Sequence, residues 1–345
     1  MALVGVSAIT GALATLLDDD VVSQINRAVV LSQILDVGTG SGKDISWDVS
    51  TGDALPGTAV IADGADVTDF NNDNKAPATL DFGTYHDAFG ISGKAMATTK
   101  NSGTPIPLAT LFAEYMADSM ERLAFGVADG VYNGDGSTNT IHGLHDSSIP
   151  AIGDTGIYAG INRASVSQWQ GNVVDAAGAE VSRRMLNQLS RDIYIACGRR
   201  PDLYITDPIQ HEKIAATTEQ ERRFVDEVRT AKGIIKLDGG YNVIYHGGAA
   251  ILEDIQHPAS IISALNTMYH KLHQLPDAAD EINGALGMVT LGGTPEDQME
   301  SGKTKLVARI QPLAKLGDSH KFALYCYPQQ QIKKPQAFGY LENLG

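Results

Sequence analysis

Cysteine is nearly absent: Cys197 and Cys326 are the two in 345 residues. They are too few and too distant for a disulfide framework or a four-thiolate zinc site, and they fit a reducing compartment. Each is read as a small buried hydrophobe, Cys197 at a helix end and Cys326 in a C-terminal strand. Aromatic residues are 6% and charged residues 19% of the chain, against 43% apolar, which excludes a wholly disordered chain. Base is short as well. Lys plus Arg is 26 against Asp plus Glu 41, a net charge of −15, which excludes a continuous basic surface for wrapping nucleic acid. No run of 18 apolar residues occurs, so no membrane-spanning helix is expected. The apolar start, residues 1–17, has no base ahead of it and runs into Asp18, Asp19 and Asp20. It is read as mature protein, not as a signal peptide.

What is present is unevenly spread. Residues 1–100 hold 13 Asp, no Glu and 5 Lys or Arg, so that stretch alone carries −8. Asp favours turns and caps where Glu would favour helix interiors. Glycine is frequent too, at 36 residues, and GTGSG, GD, PG, DG and NNDN punctuate 38–103. Segment 36–103 is therefore read as strands and loops without helix, a two-stranded excursion too poor in large apolar residues to form its own core. Before it, 21–35 is loosely helical through Val22, Ile25, Val29 and Ile34, and needs a partner surface.

The clearest periodicity follows TPIP. Leu108, Leu111, Phe112, Tyr115, Met116, Met120, Leu123, Val127 and Val131 recur at three and four, predicting a helix over 108–131 with Glu114, Asp118 and Glu121 on the wet side. A dense turn cluster, NGDGSTNTIHGL, ends it. A second helix is predicted over 178–196, with Val181, Met185, Leu186, Leu189 and Ile193 on one stripe and Gly198 as its stop. LYIT at 203–206 reads as a buried strand and Asp207-Pro208 as a helix start. Strand signals return at 243–246, 249–252, 260–265, 286–291 and 304–313, making the middle of the chain an α/β domain of its own.

Motifs for chemistry fail on inspection. VGTGSGKD at 37–44 is one residue short of a phosphate-binding loop, puts Asp44 where Ser or Thr would meet magnesium, and precedes a strand instead of a helix. Asp129, Asn133, Asp135 and Gly136 suggest a calcium loop, but its twelfth position is Thr140, not Glu, so a helix-ending turn is the better reading. His142 with His145, and His270 with His273, have a spacing that could ligate metal on a helix; both are read as polar or interfacial pairs. No nucleophile elbow or zinc-protease motif occurs. No catalytic, cofactor or metal site is assigned, and the protein is not expected to be an enzyme.

Five phrases in order carry a resemblance. YNGDGSTNTIHGL at 132–144, YAGINRASVSQWQGNV at 158–173 with Gly160, Arg163 and Trp169, RRPDLYITDP at 199–208, YHGGAAILED at 245–254 and PQAFGYLENL at 335–344 resemble the major capsid proteins of tailed bacteriophages, the HK97-type family. The resemblance covers nearly the whole chain. It implies an α+β fold: an N-terminal arm at 1–35, a region containing the extended E-loop at 36–103, a peripheral domain at 104–170 and 311–345 with a spine helix at about 108–131, and an α/β axial domain at 171–310.

It also implies a structural role, self-assembly as hexamers and pentamers into an icosahedral shell that encloses double-stranded DNA without sequence-specific binding. The implied partners are further copies of the chain, a portal protein, a separate scaffolding protein and a decoration protein, with no membrane and no cofactor. The implied location is the virion, after assembly in the host bacterial cytoplasm. Because arm-like sequence starts almost at Met1, a cleaved scaffolding extension is not expected. Lys43, Lys75 and Lys94 could serve a Lys–Asn crosslink, but noncovalent assembly is the default. The alternatives are an encapsulin-like cellular compartment and, from a different class, a metal-dependent hydrolase, which would need three ligands converging in one cleft.

Overall fold

The computed structural model describes residues 35, 37–40, 42–51, 75–101, 108–137, 139–146, 148–217, 227–230, 233–236, 244–275, 287–291, 306–314 and 317–345. The expected arm, apart from the buried Leu35, and the middle of the 36–103 excursion lie outside them.

The described chain opens with β1 (Val37–Thr39), β2 (Asp44–Ser50) and β3 (Lys75–Asp81). Strands β2 and β3 form an antiparallel ribbon from Asp44↔Asp81 to Ser50↔Lys75. Side chains alternate along it, as a pleated strand requires: Ile45, Ala78 and Leu80 are buried, while Asp48, Pro77 and Thr79 are exposed. Next, β4 (Tyr85–Ser92) runs straight into helix α1 (Gly93–Asn101). The helix-free reading of 36–103 is thereby corrected. The Ser92 hydroxyl accepts the Ala95 amide at 3.2 Å, an N-cap that starts a helix too poor in apolar residues to show a stripe. A second correction concerns burial. Ala78, Leu80, Phe89 and Ile91 belong to the main core, so this region is built into the parent domain and does not merely project from it.

Helix α2 (Leu108–Asn133) has 26 residues, two more than expected at its C-terminal end, and is ~39 Å long at 1.5 Å per residue. Phe112, Met116, Met120, Leu123, Val127 and Val131 are buried, and Glu114, Asp118 and Glu121 are exposed, as the periodicity predicts. Tyr115 departs from it, 42% exposed at the edge of the stripe. Ser119 departs the other way. It is wholly buried because its hydroxyl donates to the Asp87 carboxylate on β4, which Arg122 also holds at 2.9 Å. Phe112 seats the helix on the sheet below in an aromatic trio, 5.2 Å from Phe89 and 4.9 Å from Phe322 between ring centroids.

Beyond α2 come the short pair β5 (Ile157–Tyr158) and β6 (Ile161–Asn162), then β7 (Asn172–Asp175), helix α3 (Arg183–Cys197), β8 (Leu203–Thr206) and helix α4 (Pro208–Thr217). Strands β9 (Glu227–Thr230), β10 (Gly233–Lys236), β11 (Ile244–His246), β12 (Ala249–Glu253), β13 (Ile262–Leu265) and β14 (His270–Gln274) follow. The chain finishes with β15 (Gly287–Leu291), β16 (Leu306–Pro312), β17 (Ser319–Cys326), β18 (Pro328–Ile332) and β19 (Gly339–Glu342). Helix α3 starts five residues later than expected, because Ala177 and Gly178 adopt left-handed backbone and Ser182 supplies the cap. It stops where predicted, at Gly198, with φ 77°.

A six-stranded sheet, in the order β11-β12-β8-β13-β19-β7, divides the interior. All four residues of β8 are buried because both faces are covered. Leu203 and Ile205 face the core shared with α2, while Tyr204 faces a second core beneath α3 and α4 with Leu186, Leu189, Ile193 and Ile214. A four-stranded sheet β15-β16-β17-β4 underlies α2, and β1-β14-β18 form a third sheet. These pairings cut across the spans expected from sequence. Strand β19, inside 311–345, pairs with β13 and β7 of the six-stranded sheet, and the 310/311 boundary falls within β16. Spacing along a chain does not reveal which distant strands will pair.

Candidate assembly elements and their anchorage

The turn cluster after α2 has a definite task. The last carbonyls of any helix lack partners within it, and here the returning loop supplies them: the Leu144 amide reaches the Val131 carbonyl at 3.0 Å and the His145 amide reaches that of Tyr132 at 2.8 Å. Gly130 lets the helix end close on the sheet, since a Cβ there would collide with the Tyr85 hydroxyl. The third donor was not legible in the sequence. It is the Gln330 carboxamide on β18, whose Nε2 donates to the Val131 carbonyl at 2.8 Å and to the His142 carbonyl at 2.5 Å. Its flanking residues are equally buried: Gln329 accepts the His142 amide at 3.1 Å and donates to the Asp81 carbonyl, and Gln331 meets His273 Nε2 at 3.0 Å. Three consecutive buried glutamines thus tie the helix end, the turn cluster, the ribbon base and β14 together.

The ribbon has its own anchor. Trp47 on β2 lies 6.3 Å from Trp169, whose buried ring stacks on Tyr158 at 5.7 Å and donates Nε1–H to the Tyr158 carbonyl at 3.0 Å. Arg163 closes the group. Fully buried, it donates to the carbonyls of Ala151 at 2.7 Å and Thr155 at 2.9 Å and sits 5.3 Å from the Tyr158 ring centroid. Burial lowers the guanidinium pKa to about 10, which still leaves it charged at neutral pH. At the ribbon's base Asp44 and Asp81 are cross-strand partners, and their hydrogen bond raises the Asp44 pKa. Like charges directly opposite would repel, so the carboxyl pair is tightest in acid and slackens as pH rises through the raised value.

A buried polar relay joins α2 to the six-stranded sheet. His257 Nδ1 faces the Pro258 carbonyl at 3.0 Å, which can only accept, so the ring hydrogen sits there and Nε2 accepts from the Ser263 hydroxyl at 2.6 Å. The Ser263 oxygen in turn accepts from His145 Nε2–H at 2.5 Å. Beside it, Tyr132 at the end of α2 donates to Asp254 at 2.7 Å. Serine next to histidine suggests a nucleophile and its base, but Ser263 is wholly buried and its histidine is oriented by a carbonyl, not a carboxylate. The relay is structural.

Burial holds His257 down to about 3 and His142 to about 4, and lowers His145 well below 6.5 with His257 adding to the effect. The unfolded rings protonate near 6.5, so stability is complete above that value and falls as pH drops through 6.5 towards 3. The melting midpoint of the unassembled chain is accordingly expected to decline between pH 6.5 and 4. A His257→Gln variant should show a flatter decline, whatever its midpoint at pH 7.5. Equal slopes would dissociate the relay from the acid limb.

The residues singled out from sequence are dispersed. Val37–Thr39 is a strand paired parallel with β14, and Lys43 is exposed in the turn before another strand, so 37–44 has no helix N-terminus for phosphate. Asn133 donates to Asp129 at 2.8 Å, while Asp135 accepts from the Ser137 amide and the Thr140 hydroxyl, which lower its pKa to about 2; the supposed calcium ligands close their own turn. His270 and His273 lie on a strand, where a spacing of three puts side chains on opposite faces. The His142 ring lies tilted against that of Tyr158 at 5.0 Å between centroids, and His145 bonds Ser263. Among the described residues no group of three or more His, Cys, Asp or Glu could hold a metal. No disulfide joins the cysteines: Cys326 is buried in β17 as expected, whereas Cys197 is only half-buried at the end of α3, its Sγ against the Arg199 backbone.

No protein-family model matches the sequence, and no curated protein does. Solved structures do match. A chain of the cyanophage A-1(L) capsid asymmetric unit superposes with a TM-score of 0.68 at 15% identity over 92% of this chain and 93% of that one. The chain from Mycobacterium phage Bobi gives 0.54 at 12% over 100% and 99%. The holo-SrpI encapsulin complex of Synechococcus elongatus PCC 7942 gives 0.57 at 10% over 100% and 96%. With a long helix laid on one sheet, a paired ribbon beside it and a six-stranded α/β layer beyond, this chain has the HK97-type capsid fold.

Proposed function

We propose that the chain is the major capsid protein of a tailed bacteriophage. Copies assemble as hexamers and pentamers into an icosahedral shell that encloses double-stranded DNA, in the host cytoplasm and with a portal and a separate scaffolding protein. The observation that carries this reading is the extent of the likeness: phage capsid chains are matched from end to end, not over one layer. Charge supports it. A wall with net charge −15 leaves enclosed DNA mobile, where a basic lining would retain it. The axial unit follows the six-stranded sheet, taking in β19, and the peripheral unit follows α2 and the four-stranded sheet. Lys43, Lys75 and Lys94 are exposed, and assembly is noncovalent.

Electron microscopy of the purified chain, alone and coexpressed with a scaffolding protein, tests the reading. Closed shells of uniform diameter are expected, and monomers under every condition would overturn it. An encapsulin-like compartment is the second reading, favoured by the full-length likeness to the SrpI shell. Native shells holding an enzyme cargo in place of nuclease-protected DNA would decide for it.

A further inference from the structure

The outward face of α3 differs in chemistry from the rest of the molecule. Arg184, Asn187, Gln188, Arg191, Tyr194 and Ile195 recur at three and four along it, opposite the buried Leu186, Leu189 and Ile193. Residues 183–200 contain five arginines and one aspartate, a net +4, so the other 327 residues carry −19. Arg183, Arg184, Asn187, Gln188 and Arg191 line an open groove of about 530 Å³. Beyond the groove the face turns apolar while remaining basic. Tyr194 is 51% and Ile195 74% exposed, and Arg200 lies over the Tyr194 ring at 5.7 Å. Arg199 reaches the sulfur of Met268, itself 44% exposed.

Aromatic residues, methionine and arginine together are the composition of a protein interface core. The apolar half discriminates between partners. A phosphate backbone would satisfy the arginines but leave Tyr194, Ile195 and Met268 in water, whereas a protein surface covers both. Complementarity then selects which protein. Outside residues 183–200 the chain carries a net −19, so the remaining surface of a second copy is on balance acidic. The Arg191 pairing with its neighbour Asp192 at 3.0 Å is in contact with solvent at both ends, and exposed pairs of that kind exchange readily.

We infer that the exposed face of α3, from Arg184 to Ile195 with Arg199, Arg200 and Met268, is a docking surface for a carboxylate-bearing face of a second copy of this chain. The inference rests on the shell reading and makes this face one of the contacts between subunits. The test places photoreactive benzoylphenylalanine at Asn187 of the full chain and irradiates assembled particles. A dimer band is expected, with the adduct mapping to a second copy. Absence of the band in well-formed particles, or an adduct to another protein or to DNA, would overturn the inference while leaving the shell reading intact.

Two double variants supply the energetic arm, Arg184→Glu with Arg191→Glu and Tyr194→Ser with Ile195→Ser. Both change exposed positions and should keep the wild-type melt of the unassembled chain. Each should raise the concentration needed for assembly at least tenfold, and wild-type assembly by both would also overturn the inference. If the wild-type chain forms no particle, the shell reading fails separately, and irradiation of the concentrated chain decides the docking face by the same band.

Discussion

Met120→Asp is expected to leave almost no soluble, assembly-competent protein. Met120 has no exposed surface and belongs to the main core together with Phe89, Met116 and Leu123. A carboxylate there must either be buried unpaired or take up a proton, at a cost of several kcal/mol, and whole domains are stable by only about 5–15 kcal/mol. The helix offers its own control two positions away, where Asp118 is exposed in the wild type. Glu121→Gln on that same wet side should change stability by no more than about 0.5 kcal/mol. Soluble fraction and urea unfolding of the three chains would check the comparison. A Met120→Asp chain that folds and assembles normally would mean that α2 packs by another face.

Trp169→Ala should be the costliest single truncation outside α2, about 3–5 kcal/mol by analogy with other buried large-to-small changes. The substitution empties a site that is 1% exposed and deletes the indole donor to the Tyr158 carbonyl. It also removes the surface against which Trp47 of the ribbon lies. The effect is therefore expected in two places: a lower urea midpoint for the whole chain, and faster amide hydrogen exchange in β2 and β3 than in β8. Exchange that rises uniformly, or not at all, would show that the ribbon is seated by something other than the Trp169 group.

Which parts of this structure could be read from sequence follows from where each residue's partners lie. The stripe of α2, the Gly198 stop and the apolar run of β8 are each written in consecutive residues, so a three-and-four spacing, a terminal glycine and an unbroken apolar stretch revealed them. The burial of Ser119 carried no signal, because its partner, Asp87, is 32 positions away. The glutamines of β18 carried no signal at all, since Gln329 and Gln330 are satisfied by Asp81, Val131 and His142 from distant segments. Arg163 and Trp169 entered only through a family likeness. Their common task, Trp169 meeting Trp47 of the ribbon while Arg163 and Trp169 both pack on Tyr158, depends on contacts between segments far apart in the chain. Helix α1 had a usable signal, Ser92 three residues before the Ala95 amide it caps, which the surrounding Gly and Thr obscured.

The placement of the indole rings has a practical consequence. Trp47 and Trp169 are the two tryptophans in the protein, and they sit 6.3 Å apart at the root of the ribbon. The chain's tryptophan fluorescence therefore originates at the ribbon. A Trp169→Phe chain would keep Trp47 as its lone emitter, against a packed ring when the ribbon is seated and in water when it lifts. Emission wavelength and quenching by iodide would then follow the seating of the ribbon in real time, in unlabelled protein and at any stage of assembly.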